Sequence, residues 1–187
     1  SYDVALLATI QPILRAGNWG VTVAVRQGDQ IVALWPGLKD KIFGVAVDVG
    51  STTIAAHLCN LSSGEVVASS GVMNPQIRFG EDLMSRVSYV MMNPGGEVDM
   101  TIAVREAING LVTDLVKQAK CDTADLLEIT FVANPIMHHL LLGINPIELG
   151  GAPFALATDM AVNILARDMG VNLSLIHISE PTRPQAI

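Results

Sequence analysis

Between Ile42 and Val72 three apolar segments follow one another with connections of only a few residues, and this spacing limits the possible folds more than any other feature. "IFGVAVDV" is a nearly continuous apolar run, the pattern of a strand central in its sheet. "TTIAAHLCNL" returns after a Gly-Ser bend, and "VVASSGV" returns again after "SSGE". Connections this short can join antiparallel neighbours but cannot hold a crossover, so the three segments predict a β-meander. The pattern then changes period. Met100, Ala103, Val104, Ala107, Ile108, Leu111, Val112, Leu115, Val116 and Ala119 fall on one helical stripe. A shorter helix is expected over Glu81 to about Met92, with Glu81 and Asp82 at its positive end. "LEITFVAN" is a fourth core strand and runs into the helix "PIMHHLLLG", with Pro135 in its first turn and Gly143 at its end. A meander followed by helical crossovers that extend the same sheet is an α/β arrangement that few layered designs share.

The flanking segments read differently. "ALLATIQPILRAG" has the spacing of a short amphipathic helix stopped by Gly17. "WGVTVAVRQGDQIVALWPG" reads as a hairpin in which Val21, Val23 and Val25 share one side and "QGDQ" turns the chain. A boundary is expected near Pro36–Lys41. It makes 1–41 the end of a small α+β domain and 42–172 a larger unit. "NPQIRFG" is expected to be loop, because Asn74-Pro75 disfavours helix. The Met-rich "MSRVSYVMMN" is expected to fill core, and Thr158 to Met169 to form a last short helix capped by Gly170. "LSLIHISEPTR", Leu173 to Arg183, reads as the in-frame translation of a transposon-type sequencing-library adaptor, so 173–187 is set aside as a non-native tail; the other reading is a real strand, "LSLIHI". The chain starts without an initiator Met and is expected to be a piece of a longer protein.

Composition narrows the function. Among 187 residues half are hydrophobic, the net charge is -7 and no Lys/Arg cluster occurs, which argues against nucleic acid and against an anionic membrane surface. No apolar run reaches the roughly 18–20 residues of a membrane span, and no signal peptide is visible, so a cytoplasmic location is expected. Cys59 and Cys121 suggest neither a disulfide scaffold nor a four-ligand metal site.

Chemistry is concentrated in Asp48-Val49-Gly50-Ser51-Thr52-Thr53. Gly50 permits a bend and a close approach of backbone to ligand. The amides from Gly50 to Thr53 can converge on an anion as a backbone nest does, and the three hydroxyls add donors. Asp48 ends the strand where it can hold Mg²⁺ directly or through water. Together these groups can cradle the β- and γ-phosphates of a nucleotide. The competing reading is a hairpin turn whose Asp and Ser merely bond locally. A buried apolar strand ending on a carboxylate, within this strand order, favours phosphate.

"GVAVDVGSTT" resembles the first phosphate motif of the superfamily of acetate and sugar kinases, Hsp70 and actin. Gly44 to Gly170 is more specifically similar to the ATPase domain of reductive activators of corrinoid proteins. The resemblance rests on "DVGSTT", on "NPQIRFGEDLMSRV" from Asn74 to Val87, and on "MHHLLLGINPIELGGAPF" from Met137 to Phe154. It implies the first lobe of an actin-like, ribonuclease H-like ATPase domain, preceded by the end of a small middle domain. It also implies ATP and Mg²⁺ as ligands, a [2Fe–2S] cluster in an N-terminal domain outside this chain, and a corrinoid protein partner whose Co(II) is returned to Co(I). A homodimer is also expected. Family members usually open the third segment with Gly-Asn and small hydroxyl residues, where this chain has "VANPIMHH", so Asn134 is carried over weakly. Two alternatives stay open. One is an activator of the benzoyl-CoA reductase or 2-hydroxyacyl-CoA dehydratase kind, and the other a non-catalytic nucleotide-sensing docking module.

Arg78 and Asp82 are the other candidates. Arg78 can pair with a γ-phosphate and Asp82 can orient the attacking water. Against this, both fit the start of a helix, with Arg78 solvated, while Asn74 and Gln76 close the loop. His138 and His139 are adjacent on a helix and point about 100° apart, so they cannot share one metal, and a hydrogen-bonding role is expected. Cys59 is expected to be buried and inert, and Cys121 exposed at a helix end.

Overall fold

Val45, Val47 and Val49 are buried while Ala46 and Asp48 are exposed, and this alternation along strand β3 (Phe43–Val49) decides which face of the sheet is packed. The computed structural model describes residues 4–26, 28–171 and 177–179. In it β3 pairs antiparallel with β4 (Thr53–Asn60), which pairs antiparallel with β5 (Val66–Met73), the expected meander. On its other side β3 pairs in parallel with β6 (Leu126–Ala133), so β3 is central as its apolar run predicts. The six-stranded sheet has the order β5-β4-β3-β6-β8-β7, with β7 at Ile164–Leu165 and β8 at His177–Ser179.

Helix α3 (Gly96–Ala119) crosses from the meander side toward β6 and packs against β4 and β5. Met100, Val104, Ile108, Leu111, Val112 and Leu115 are buried along its predicted stripe. Each such side chain contributes roughly 1.5–3 kcal/mol relative to exposure. Helices α2 (Leu83–Met92) and α4 (Pro135–Leu142) pack on α3. Helix α4 ends as expected on Gly143, whose φ of 81° suits glycine.

Helix α1 (Val4–Ala16) precedes a separate two-stranded hairpin, β1 (Val21–Arg26) with β2 (Gln30–Pro36). Val23 and Val25 do share one side, but that side is exposed and lines a cavity of about 380 Å³ shared with Ile42, Leu61 and Leu127. Lys39 ties the segment after the hairpin to Asp125 at 2.7 Å, and its amide donates to Thr22 Oγ1 at 2.9 Å.

Three expectations are corrected, and the segment set aside holds one short strand. Pro75–Phe79 is a 3₁₀ helix rather than loop: proline is tolerated at a first helical position, and only Asn74, extended at φ −64° and ψ 115°, bears its restriction. The span 158–169 is not an α-helix. Met160 N donates to Thr158 Oγ1, a local bond that competes with helix, Ile164–Leu165 pairs with β8, and Ala166–Met169 forms a 3₁₀ turn. His177–Ser179, inside the segment set aside, pairs in parallel with β6. In the Met-rich stretch Val87 and Val90 are core but the methionines are not: Met84, Met91 and Met92 are exposed, Met92 at 75%.

Candidate functional site

The parallel strands β3 and β6 end side by side, with Asp48 opposite Val132 and Val49 opposite Ala133. Thr53 at the start of β4 lies opposite Met73 at the end of β5, so Asn74 arrives at the same sheet edge. The turn Gly50–Thr52 therefore sits where three strands run out, a usual place for ligands in open α/β sheets. Within the turn, Gly50 N donates to Thr53 O at 3.0 Å, and a Cβ on Gly50 would lie 2.6 Å from that oxygen. Glycine is needed here for space. Its amide, expected among the anion donors, instead closes the bend.

Two buried side chains hold the turn from behind. Asn74, fully buried, donates its Nδ2 to Gly50 O at 2.8 Å and its backbone N to Thr52 O at 2.8 Å. Its Oδ1 accepts from Gln76 N at 2.9 Å. Arg86, also fully buried, donates from Nη2 to Ser51 O and from Nε to Gly80 O at 2.9 Å. Its Nη1 reaches Met137 Sδ at 3.0 Å and Gln76 Oε1 at 3.4 Å, and Gln76 Nε2 donates to Met100 O at 2.9 Å. Burial holds the Arg86 guanidinium below its ordinary pKa, opposed by the charge of Asp82, and arginine remains protonated nonetheless.

The consequence is directional. The carbonyls of Gly50, Ser51 and Thr52 all point into the protein and are satisfied there. Among the described residues no acceptor meets the amides of Ser51 and Thr52 or the hydroxyls of Ser51, Thr52 and Thr53; Ser51 is half-buried and the two threonines are exposed. Inward carbonyls, outward donors and a buried cation behind them suit an anion. The Asp48 carboxylate is exposed and in no ion pair among the described residues, so it is free to meet a cation. No group of three or more His, Cys, Asp or Glu among the described residues is placed to hold a metal, so a cation there would need ligand oxygens or water.

The other sequence candidates separate. Asn134 caps α4, its side chain accepting from Met137 N at 3.0 Å, one residue beyond the pairing of Val49 with Ala133. Arg78 is exposed and lies over the Phe79 ring, 4.7 Å from its centroid, so Arg86 and not Arg78 touches the turn. Asp82 caps α2: its carboxylate accepts from Ser85 Oγ at 2.6 Å and Ser85 N at 2.7 Å. These two bonds hold it below the usual carboxylate range. Arg86 was legible in principle, since it stands on the same helical stripe as Leu83, Val87 and Val90, where a cation must be buried.

His139 is buried, its Nδ1 bonded to Pro135 O at 2.8 Å and its Nε2 accepting from Ala157 N at 3.1 Å. That pairing fixes a neutral ring with its proton on Nδ1, and burial pushes its pKa down. Its ring meets that of His138 edge-on at 5.8 Å. Cys59 and Cys121 are both half-buried free thiols, and burial pushes Cys121 up.

Two family models match the chain, the RACo linker region over residues 1–41 and the RACo middle region over residues 43–178. The corrinoid activation enzyme RamQ of Eubacterium limosum is 32% identical over 143 residues, 75% of this chain and 24% of that protein. A solved structure described as a reductive activator for corrinoid, iron-sulfur protein superposes with a TM-score of 0.86 at 28% identity, over 98% of this chain and 30% of its own. The chain thus spans less than a third of either relative. No helix among the described residues is long and apolar enough to cross a membrane.

Proposed function

Since the chain belongs to the RACo family of reductive activators of corrinoid proteins, we propose that it forms part of the nucleotide-binding unit of an ATP-dependent iron–sulfur activator that supports reduction of Co(II) to Co(I) in a corrinoid partner. Its relatives are corrinoid activators, which does not favour the 2-hydroxyacyl-CoA dehydratase type of system. The observation that carries the reading is the turn with its carbonyls held inward by Asn74 and Arg86 and its donors facing out. In this reading the amides of Ser51 and Thr52 and the hydroxyls of Ser51, Thr52 and Thr53 receive the β- and γ-phosphates of ATP. Gly50 supplies the bend and Asn134 shapes the adjoining edge. Asp48 meets the accompanying Mg²⁺ through its water shell.

The remaining assignments complete the proposal. The boundary falls near Pro36–Lys41, between the end of a small domain and the first lobe of an actin-like ATPase. A second lobe closes over the nucleotide, and Arg78 and Asp82 face the γ-phosphate and the attacking water on closure. A [2Fe–2S] cluster in the rest of the parent protein supplies the electron. The assembly is a homodimer and works in the cytoplasm. ATP is needed because each ~59 mV of uphill one-electron potential is about a factor of ten in equilibrium, which closure on the nucleotide must offset.

The test is Mg·ATP binding to the parent protein by titration calorimetry, with Asp48→Asn and Ser51→Ala/Thr52→Val beside the unaltered protein. Each variant is expected to weaken binding about tenfold or more, the scale of one or two charge-assisted bonds. Unaltered affinity in both, with circular dichroism showing them folded, would remove the turn from the nucleotide site.

A further inference from the structure

Three stretches far apart in the chain meet behind the phosphate turn: the turn itself, the segment from Asn74 to Arg86, and the start of α4. They meet at one sulfur. Met137 is 1% exposed and stands in the first turn of α4, its backbone N capped by Asn134 Oδ1 at 3.0 Å. Side chains on a helix lean toward its N-terminus, which here is the sheet edge that carries the turn. Met137 Sδ accepts from Arg86 Nη1 at 3.0 Å and lies 3.8 Å from Asn74 Nδ2. Those two side chains are the ones that hold the carbonyls of Ser51 and Gly50.

Every acceptor on the Arg86 guanidinium among the described residues is neutral: the carbonyls of Ser51 and Gly80, the Gln76 amide oxygen and the Met137 thioether. Asp82, whose charge Arg86 senses, is exposed and bound to Ser85. A carboxylate in place of Met137 would hold the guanidinium equally well, but its charge would cancel the field that an anion meets at the turn. A leucine would fill the space and leave Nη1 with Gln76 Oε1 alone, at 3.4 Å. A thioether accepts without charge. The guanidinium is planar, so bonds at Nε and Nη1 decide where Nη2 points. Nη2 donates to Ser51 O, and in a planar trans peptide an inward Ser51 carbonyl turns the Thr52 amide outward.

We infer that Met137 is a positioning residue for phosphate: acting through Arg86, it aims the Thr52 amide at the anion and leaves the arginine's charge uncompensated behind it. The inference rests on the nucleotide reading of the turn and deepens it. The test is Mg·ATP titration of the parent protein with Met137→Leu, Met137→Gln, Arg86→Met and Met137→Leu/Arg86→Met, with the urea midpoint of each. Met137→Leu conserves volume and is expected to move the midpoint little while weakening Mg·ATP about fivefold, the scale of one bond to a charged group. Met137→Gln returns a neutral acceptor but buries an amide. It is expected to lower the midpoint below that of the leucine variant and yet to bring affinity back within about twofold of the unaltered protein. Packing alone moves stability and affinity together and does not give that crossed order. In the Arg86→Met background, adding Met137→Leu is expected to change affinity less than about twofold, because the residue it acts through is gone. Should the glutamine variant fail to fold, the leucine cycle decides alone. A leucine variant that binds like the unaltered protein, a folded glutamine variant that binds as weakly as leucine, or a loss that recurs in full without Arg86 would each overturn the role of Met137 and leave the turn in the nucleotide site. An unaltered protein that does not bind Mg·ATP would overturn the nucleotide reading, and this role with it.

Discussion

Arg86 is buried, with no salt-bridged carboxylate among the described residues, and its guanidinium is satisfied mainly by the carbonyls of Ser51 and Gly80. Arg86→Met would fill most of the space but leave those oxygens without donors. Each buried acceptor left unpaired costs roughly 1–3 kcal/mol, so the variant is expected to lose about 3 kcal/mol in urea unfolding. Arg86→Lys, which can serve one carbonyl but not both, is expected to lose less. Equal losses would mean that packing and not bonding sets the effect. His139 offers a second residue-scale test. Its folded pKa is lowered by burial, so the folded state binds fewer protons than the unfolded one. Its contribution is fully present above the unfolded value of about 6.5 and is lost as pH falls toward the lower folded value, where a protonated Nε2 would face the Ala157 amide. Urea midpoints are expected to drop between pH 7.5 and pH 5.5, and to drop less in His139→Phe. At this scale the bend at Gly50 was legible, because a bend is written in neighbouring residues. The clamp on the turn was not, because it joins Ser51 to Arg86 across 35 positions.

Elements were legible where their pattern is local. The stripe on α3 needed only its own period, and the meander only short connections. Span 158–169 failed because Ile164–Leu165 takes its bonds from β8, a partner that no local period reveals. The methionines of α2 failed for another reason: apolar identity was read as burial, although Met84, Met91 and Met92 are exposed while Val87 and Val90 of the same helix are buried. These two readings of helices can be separated by mutation. Leu115→Ala on α3 is expected to cost about 2–5 kcal/mol, as for a fully buried leucine. Met92→Ala on α2 is expected to change stability by less than about 0.5 kcal/mol. A large loss at Met92 would place that side of α2 against another part of the protein.

At the scale of the molecule, the hairpin and the main sheet meet across a cavity, so what fixes their relation is polar and small. Lys39 and Asp125 are 2.7 Å apart and both half-buried, whereas Arg26 and Glu128 only approach at 4.0 Å. Arg26 Nη2 also donates to Asn163 Oδ1 at 2.8 Å, an exposed bond. Partly exposed pairs of this kind contribute about 1 kcal/mol or less to global stability. Their effect on the connection can be larger, because Lys39 also carries an amide bond to Thr22 Oγ1 and stands in the short segment between β2 and β3. Lys39→Ala is therefore expected to leave the urea midpoint nearly unchanged while speeding trypsin cleavage at Lys41 several-fold, since local opening and global unfolding are separate equilibria. Cleavage at an unchanged rate would show that apolar contact around Ile42 and Leu61, rather than the ion pair, holds the hairpin against the sheet.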